Sequence, residues 1–156
     1  MLAMDVDGVL TDGGMYYGEH GEELKKFNTR DAQGVALCQA AGLLAAIVTR
    51  EDTQIVRRRA AKMRVDEVRV GVLDKLACMN ELVARHDISL DEVCYVGDDV
   101  HDVPLMRAVG LAVAVADATT WPRRVAHYVT EKAGGQGAVR EVCELLLEAR
   151  GGSNFV

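Results

Sequence analysis

The chain has no Cys-x-x-Cys pair, no apolar run near bilayer length, no surplus of positive charge and no internal repeat. Each absence removes a class of protein. Cys38, Cys78, Cys94 and Cys143 stand far apart within apolar stretches, so they read as reduced core residues and not as zinc ligands. No charged opening segment leads into an apolar stretch, and a membrane span needs roughly 20 apolar residues, so the expected location is cytoplasmic. A net charge of -6 argues against nucleic-acid binding, which needs a basic face to displace counterions from phosphates. The one dense basic cluster, Arg57-Arg58-Arg59, would point in different directions on a helix and reads as a solvated face with one inward member. With 156 residues, 49% of them apolar and 27% charged, the chain is long enough for one domain over residues 1–150 with its own core, followed by a flexible tail at 151–156.

What is present is an alternation of strand-length apolar runs with helical patterns. The runs are Leu2–Met4, Leu43–Val48, Val68–Val70, Val93–Val96 and Leu111–Val115. Helices are expected over Ala32–Ala41, Thr53–Met63, Lys75–His86 and Val103–Val109, with Tyr128-Val129 and a helix over Ala138–Ala149 closing the fold. Such alternation predicts an α/β doubly wound parallel sheet with helices on both faces, and strands apolar throughout fit burial on both sides. Ser89 to Glu92 has the spacing of a capping box, and Gly42 sits where a helix C-terminal cap belongs. Residues 13–27 break the alternation and read as a β-hairpin with a polar turn, inserted after the first strand.

Chemistry concentrates where strands end. Asp5 and Asp7 stand on one side of the extended chain just past Leu2-Ala3-Met4, and Gly8 lets the backbone turn where a metal or anion must come close. Thr49 ends the second run, Lys75 opens a helix, and Gly97-Asp98-Asp99-Val100-His101-Asp102 follows a later run. In an open α/β sheet, ligands bind beyond the carboxyl ends of the strands, the edge to which Asp5, Asp7, Thr49 and Asp98 all fall. Taken singly, each has a plain structural alternative: an Asx turn for the Asp pair, a helix cap for Thr49, a solvated side chain for Lys75, an ordinary turn for Gly-Asp-Asp.

In this order the set resembles the haloacid dehalogenase superfamily of aspartate-nucleophile phosphotransferases. That resemblance implies Asp5 as nucleophile, Asp7 as general acid and then base, Thr49 as a donor to the phosphoryl oxygens, and Lys75 as their neutralising cation. It also implies a magnesium cofactor held by the Asp5 carboxylate, the Asp7 backbone carbonyl and Asp98, an all-oxygen set suited to a hard ion. Asp99 and Asp102 would orient water or Lys75 from behind. Cap domains of this superfamily enter after the first motif or between Thr49 and Lys75; here those slots hold only the hairpin, and one helix with one strand. The chain therefore is similar to the capless phosphatases of 3-deoxy-2-ketoacid sugars, in which the hairpin builds a homotetramer and neighbouring subunits help close each site. Stretches carrying this likeness include Phe27-Asn28-Thr29-Arg30-Asp31, Val113 to Ala118 and Gly134 to Glu141.

Two departures bear on the substrate. Relatives read Thr-Gly after the second strand where this chain has Thr49-Arg50, and the next position, Arg in enzymes acting on 3-deoxy-D-manno-octulosonate 8-phosphate (Kdo 8-phosphate), is Glu51. Glu51 with Arg59 and Lys62 resembles the branch acting on nine-carbon 9-phosphates of the Kdn or neuraminate type, whereas the C-terminal segment resembles the Kdo branch. Arg50 could supply the missing contact to a sugar carboxylate. The expectation is a magnesium-dependent phosphatase for Kdo 8-phosphate, a small anionic phosphosugar, with the nine-carbon substrate as alternative. Two rivals are a noncatalytic oligomerisation domain like those fused to cytidylyltransferases, and a phosphorylated receiver domain. The intact set of site residues speaks against the first. The order of the acidic motifs speaks against the second.

Overall fold

The computed structural model describes residues 1–151, with Glu23 described by its backbone alone; the expected tail therefore lies, apart from Gly151, outside the described residues. A six-stranded parallel sheet forms the centre, in the order β5-β4-β1-β6-β7-β8. Its strands are β1 (Leu2–Met4), β4 (Ala45–Val48), β5 (Glu67–Arg69), β6 (Cys94–Gly97), β7 (Leu111–Ala114) and β8 (Tyr128–Val129). β1 lies in the middle, with Ala3 opposite Ala46 on one side and Tyr95 on the other. All three residues of β1 are buried, as are those of β4 and β6, so runs without polar alternation are what a sheet covered on both faces requires.

Helices α1 (Thr29–Ala40), α2 (Gln54–Met63), α3 (Lys75–Arg85), α4 (Val103–Met106), α5 (Thr120–Val125) and α6 (Ala138–Ala149) pack on the sheet. Their starts are chemically marked. Asn28 accepts from the Arg30 amide, Thr53 from Val56 and Asp74 from Ala77, each satisfying an otherwise unpaired donor of the first turn. Thr53 is thus the cap of α2, and Thr49 is free of that duty. Ser89 and Glu92 do form the capping box, around a single 3-10 turn. Gly42, with φ of 83°, closes α1 through its amide to the Gln39 carbonyl.

Several boundaries differ from the expected ones. α1 begins at Thr29, three residues before the apolar pattern becomes visible, because Asn28 caps it there. β5 covers Glu67–Arg69 and not Val68–Val70, its register set by pairing Ile47 with Val68. α4 stops at Met106, and α5 was not expected at all: at six residues, with Pro122 inside, it carries no readable period.

The hairpin is formed by β2 (Tyr16–Gly18) and β3 (Gly21–Leu24), whose base is closed by an antiparallel bridge between Thr11 and Phe27. Between β4 and α3 lie only α2 and β5, so no cap covers the sheet edge among the described residues. No helix there is long and apolar enough to cross a membrane. All four cysteines are free.

Candidate active site

The chain reverses direction immediately after β1. Val6 accepts backbone bonds from Val9, Leu10 and Thr11, which winds Asp5 to Thr11 into a tight loop above the strand end. Thr11, fully buried, ties the loop internally by accepting from the amides of Gly8 and Gly13 and donating to the Val6 carbonyl. Gly8 takes a φ of 79°, and a Cβ there would occupy the position of the Asp98 carboxylate. The absence of a side chain is what lets the loops after β1 and β6 meet. Gly134 does the same from the far side, because a Cβ on it would run into the Gly8 carbonyl.

At the meeting point Lys75, the first residue of α3, is almost wholly buried. Its ammonium lies 2.7 Å from Asp5 Oδ2 and 2.6 Å from Asp102 Oδ1. The Asp5 Oδ1 atom accepts from the Val6 amide at 2.8 Å. Burial lowers a lysine pKa, yet the two carboxylates outweigh it and hold Lys75 above its usual value, so it stays charged. Asp102 uses both oxygens: Oδ1 also accepts from the Tyr95 hydroxyl at 2.7 Å, and Oδ2 from the amides of Asp98 and Asp99 at 2.9 and 3.1 Å. Asp102 therefore locks the lysine to the loop after β6. Asp99 caps that loop by accepting from the Val100 amide and the Thr119 hydroxyl.

Carboxylates outnumber cations here. Oxygens of Asp5, Asp98 and Asp102 approach within 4.8 Å of one another. Burial, and then repulsion from Asp5, Asp102 and Asp99, pushes the Asp98 carboxyl up to about 8 against the opposing pull of Lys75. Burial likewise lifts Asp5 to about 6, with Lys75 opposing and Asp102 adding. Crowded acids of this kind are relieved by a divalent cation. Because all four bonds to Asp102 come from protein donors, Asp5 and Asp98 are the carboxylates available to one. The Asp7 carbonyl, which accepts no hydrogen bond from the described residues, completes an oxygen set that fits magnesium.

A cavity of about 480 Å³ opens above this cluster and is lined by Asp5, Asp7, Thr49, Lys75 and Asp98, with Arg50 and Glu51 also on its wall. Thr49 is buried, and its hydroxyl accepts from the Glu51 amide at 3.4 Å, which closes the turn. Arg50 does not adopt a positive φ, so this turn needs no glycine and tolerates the arginine. Arg59 and Lys62 do not reach the cavity. α2 runs away from the sheet edge at about 1.5 Å per residue, and both line a separate hollow against α1. There the Arg59 guanidinium donates to the Asn28 carbonyl and stacks on Phe27.

Three contributors escape a reading of the sequence. Tyr95, fully buried in β6, accepts from Lys75 at 3.2 Å and donates to Asp102, though its setting between Cys94 and Val96 reads as core. Leu73, 80% exposed, forms part of the cavity rim with Met15 of the hairpin, and nothing local marks it. Lys25, just beyond β3, reaches Asp7 at 2.6 Å. Only the hairpin's return over the β1 loop brings it there.

Residues 67–142 match the haloacid dehalogenase-like hydrolase family. The 3-deoxy-D-manno-octulosonate 8-phosphate phosphatase of Escherichia coli strain K12 is 46% identical over 151 residues, covering 97% of this chain and 80% of that protein. The Moraxella catarrhalis phosphatase of the same name, solved with magnesium, phosphate and Kdo, superposes with a TM-score of 0.92 at 38% identity, over 95% of this chain and 85% of that one. The cobalt-bound phosphatase of Haemophilus influenzae gives a TM-score of 0.95 at 35% identity, over 99% and 91% of the two chains. A sheet edge with an Asp-x-Asp loop, a buried lysine and an acidic loop after β6, together with identity along nearly the whole chain, establishes that this protein belongs to the haloacid dehalogenase-like family of 3-deoxy-D-manno-octulosonate 8-phosphate phosphatases.

Proposed function

We propose that the protein hydrolyses Kdo 8-phosphate to Kdo and inorganic phosphate with the help of magnesium, through a phosphorylated Asp5. The observation that carries this reading is the Asp5–Lys75–Asp102 chain of contacts beside the unneutralised Asp98, at a cavity reached by Asp7. Magnesium, when bound by Asp5, Asp98 and the Asp7 carbonyl, neutralises charge on the phosphoryl oxygens. Asp5 attacks phosphorus as the bond to the sugar oxygen breaks, and Asp7 gives that oxygen its proton. Asp7 then takes a proton from the water that attacks phosphorus, which frees Asp5 and releases phosphate. Lys75 stabilises the charge on Asp5 and on the transferring group, and Thr49 donates to a phosphoryl oxygen.

Arg50 and Glu51, on the cavity wall, are the residues placed to choose the sugar. Arg50 can hold a carboxylate through two parallel hydrogen bonds, and Glu51 can accept from hydroxyls. Kdo 8-phosphate is favoured over nine-carbon substrates because relatives at 46% identity carry that activity in their names. The deciding experiment is a panel of phosphorylated 2-keto-3-deoxy sugar acids, assayed with magnesium. The highest kcat/KM is expected on Kdo 8-phosphate. A clear preference for a nine-carbon 9-phosphate, or no turnover of any member, overturns the assignment.

The assembly we propose is a homotetramer built through the hairpin in the cytoplasm. Tyr16 and Tyr17 are 60% and 71% exposed, with Leu24 and Met15 beside them, and an apolar ribbon of this kind is covered in solution. Light scattering should give four times the chain mass; a stable, fully active monomer rules this out.

A further inference from the structure

We propose that Lys25 is the positioning residue of the acid/base carboxylate: held by Glu22, it fixes one oxygen of Asp7 so that the other is left for the leaving group. The inference rests on the reading of Asp7 as general acid and base given above. Lys25 Nζ lies 2.6 Å from Asp7 Oδ1 and 2.9 Å from Glu22 Oε1, and its side chain is completely shielded from solvent. Asp7 Oδ2 is also buried and has no hydrogen-bond partner among the described residues. One oxygen is thus committed and one is free, on a residue that lines the cavity.

A ribbon that served only for packing has little reason to bury an ammonium, since taking a lysine out of water is costly unless charged partners surround it. The neighbouring residue gives the contrast. Lys26 stays largely exposed and reaches Asp12 at 3.3 Å, an ordinary surface pair of small energetic weight. Two successive lysines on one strand exit therefore have different fates, and the buried one ends on the carboxylate that must move protons.

The consequence is geometric. An aspartate carboxylate turns freely about its last bond, and a displacement of about 1 Å in a reacting group costs on the order of 10²-fold in rate. Clamping Oδ1 from the hairpin side removes that freedom. Glu22, on β3, lies against the same ammonium at 2.9 Å, so that the hairpin supplies a second anchor for Lys25 besides Asp7. Because the clamp belongs to the hairpin, the segment that also carries the exposed aromatic ribbon shapes the catalytic loop as well.

The test uses the fact that a sugar alkoxide leaves only with a proton, whereas 4-nitrophenolate leaves without one. kcat/KM, which reports the first phosphoryl transfer, is measured with magnesium on Kdo 8-phosphate and on 4-nitrophenyl phosphate. The proteins compared are the full chain, Asp7→Asn, Lys25→Met, Lys25→Arg and Glu22→Gln. Asp7→Asn should lose far more on the sugar phosphate than on the aryl ester. Lys25→Met should follow the same pattern with a loss of about 10–100-fold on the sugar phosphate, and Lys25→Arg should recover part of it. An equal loss on both esters for Asp7→Asn would defeat the acid/base reading itself. If Asp7→Asn discriminates between the esters but Lys25→Met falls equally on both, Lys25 merely holds the hairpin and the proposal is wrong. Should Lys25→Met lose its circular dichroism signature, Glu22→Gln and Lys25→Arg decide in its place: a greater loss on the sugar phosphate supports the clamp, and no difference between the esters overturns it.

Discussion

The ionic clusters at the two ends of α3 are built on opposite principles. At the start of α3, Lys75 faces Asp5 and Asp102 with Asp98 close by, so acids exceed cations and carboxyl pKa values rise. At its end, one acid is surrounded by bases: Glu67 pairs with Arg69 at 2.8 Å, His86 at 2.9 Å and Arg85 at 3.4 Å. Burial alone would raise the Glu67 pKa, but those partners outweigh it and hold it below its usual value. The second cluster is satisfied within the chain and stabilises the fold. The first is left short of positive charge, and that shortage is what a magnesium ion meets.

The comparison is broken most severely at Asp5, the nucleophile of the proposed reaction. Asp5→Asn keeps the size of the side chain but cannot attack phosphorus, so kcat should fall by at least about 10⁴-fold while the circular dichroism spectrum is unchanged. Residual turnover close to that of the unmodified protein would remove Asp5 from its role. Gly8→Ala comes next, since the new Cβ would occupy the Asp98 carboxylate and the φ of 79° disfavours alanine. Displacing Asp98, a proposed magnesium ligand, should weaken magnesium binding by about 10–100-fold, read by calorimetry.

The excess of acid can be sharpened with pH. In the metal-free protein Asp98 titrates at about 8, so below that pH a cation must displace a proton. Magnesium affinity should therefore rise with pH up to about 8, by at most about tenfold per unit, with proton release on binding. Affinity that stays flat between pH 6 and 8 would show that the crowding is relieved in some other way.

The smallest catalytic effect is expected at the other cluster. Glu67→Gln should leave kcat and magnesium affinity alone but lower stability by about 1–3 kcal/mol. Because the folded-state pKa of Glu67 is depressed, its contribution is present above the unfolded value and is lost as pH falls through the folded one. Chemical denaturation should accordingly show a shallower loss of stability below about pH 4.5 in Glu67→Gln. A fall in kcat instead would mean that the two ends of α3 are coupled.

The parallel sheet and most of its helices were legible because burial on both faces leaves long apolar runs, as in Ala45–Val48, and because caps such as Thr53 and Asp74 are local. α5 was not, since six residues around Pro122 hold no period. The site divides in the same way. Asp5, Asp7, Thr49, Lys75 and Asp98 were visible because each sits at a strand end or helix start that the sequence marks. Arg59 and Lys62 were expected at the substrate only from the resemblance to the nine-carbon branch, and α2 places them at another hollow.

By itself, the sequence determined which strands are buried and roughly where their carboxyl ends lie, since these follow from periodicity and local caps; that Asp5, Asp7, Lys75 and Asp98 form one set was carried by the order of the motifs and the family they resemble. The tertiary structure alone decided that Tyr95 joins Asp102 to Lys75, that Gly8 makes room for Asp98, and that Lys25 returns from the hairpin to Asp7. Those contacts join residues far apart along the chain. Their geometry is set by how β1, β6 and the hairpin pack, and no local pattern encodes it.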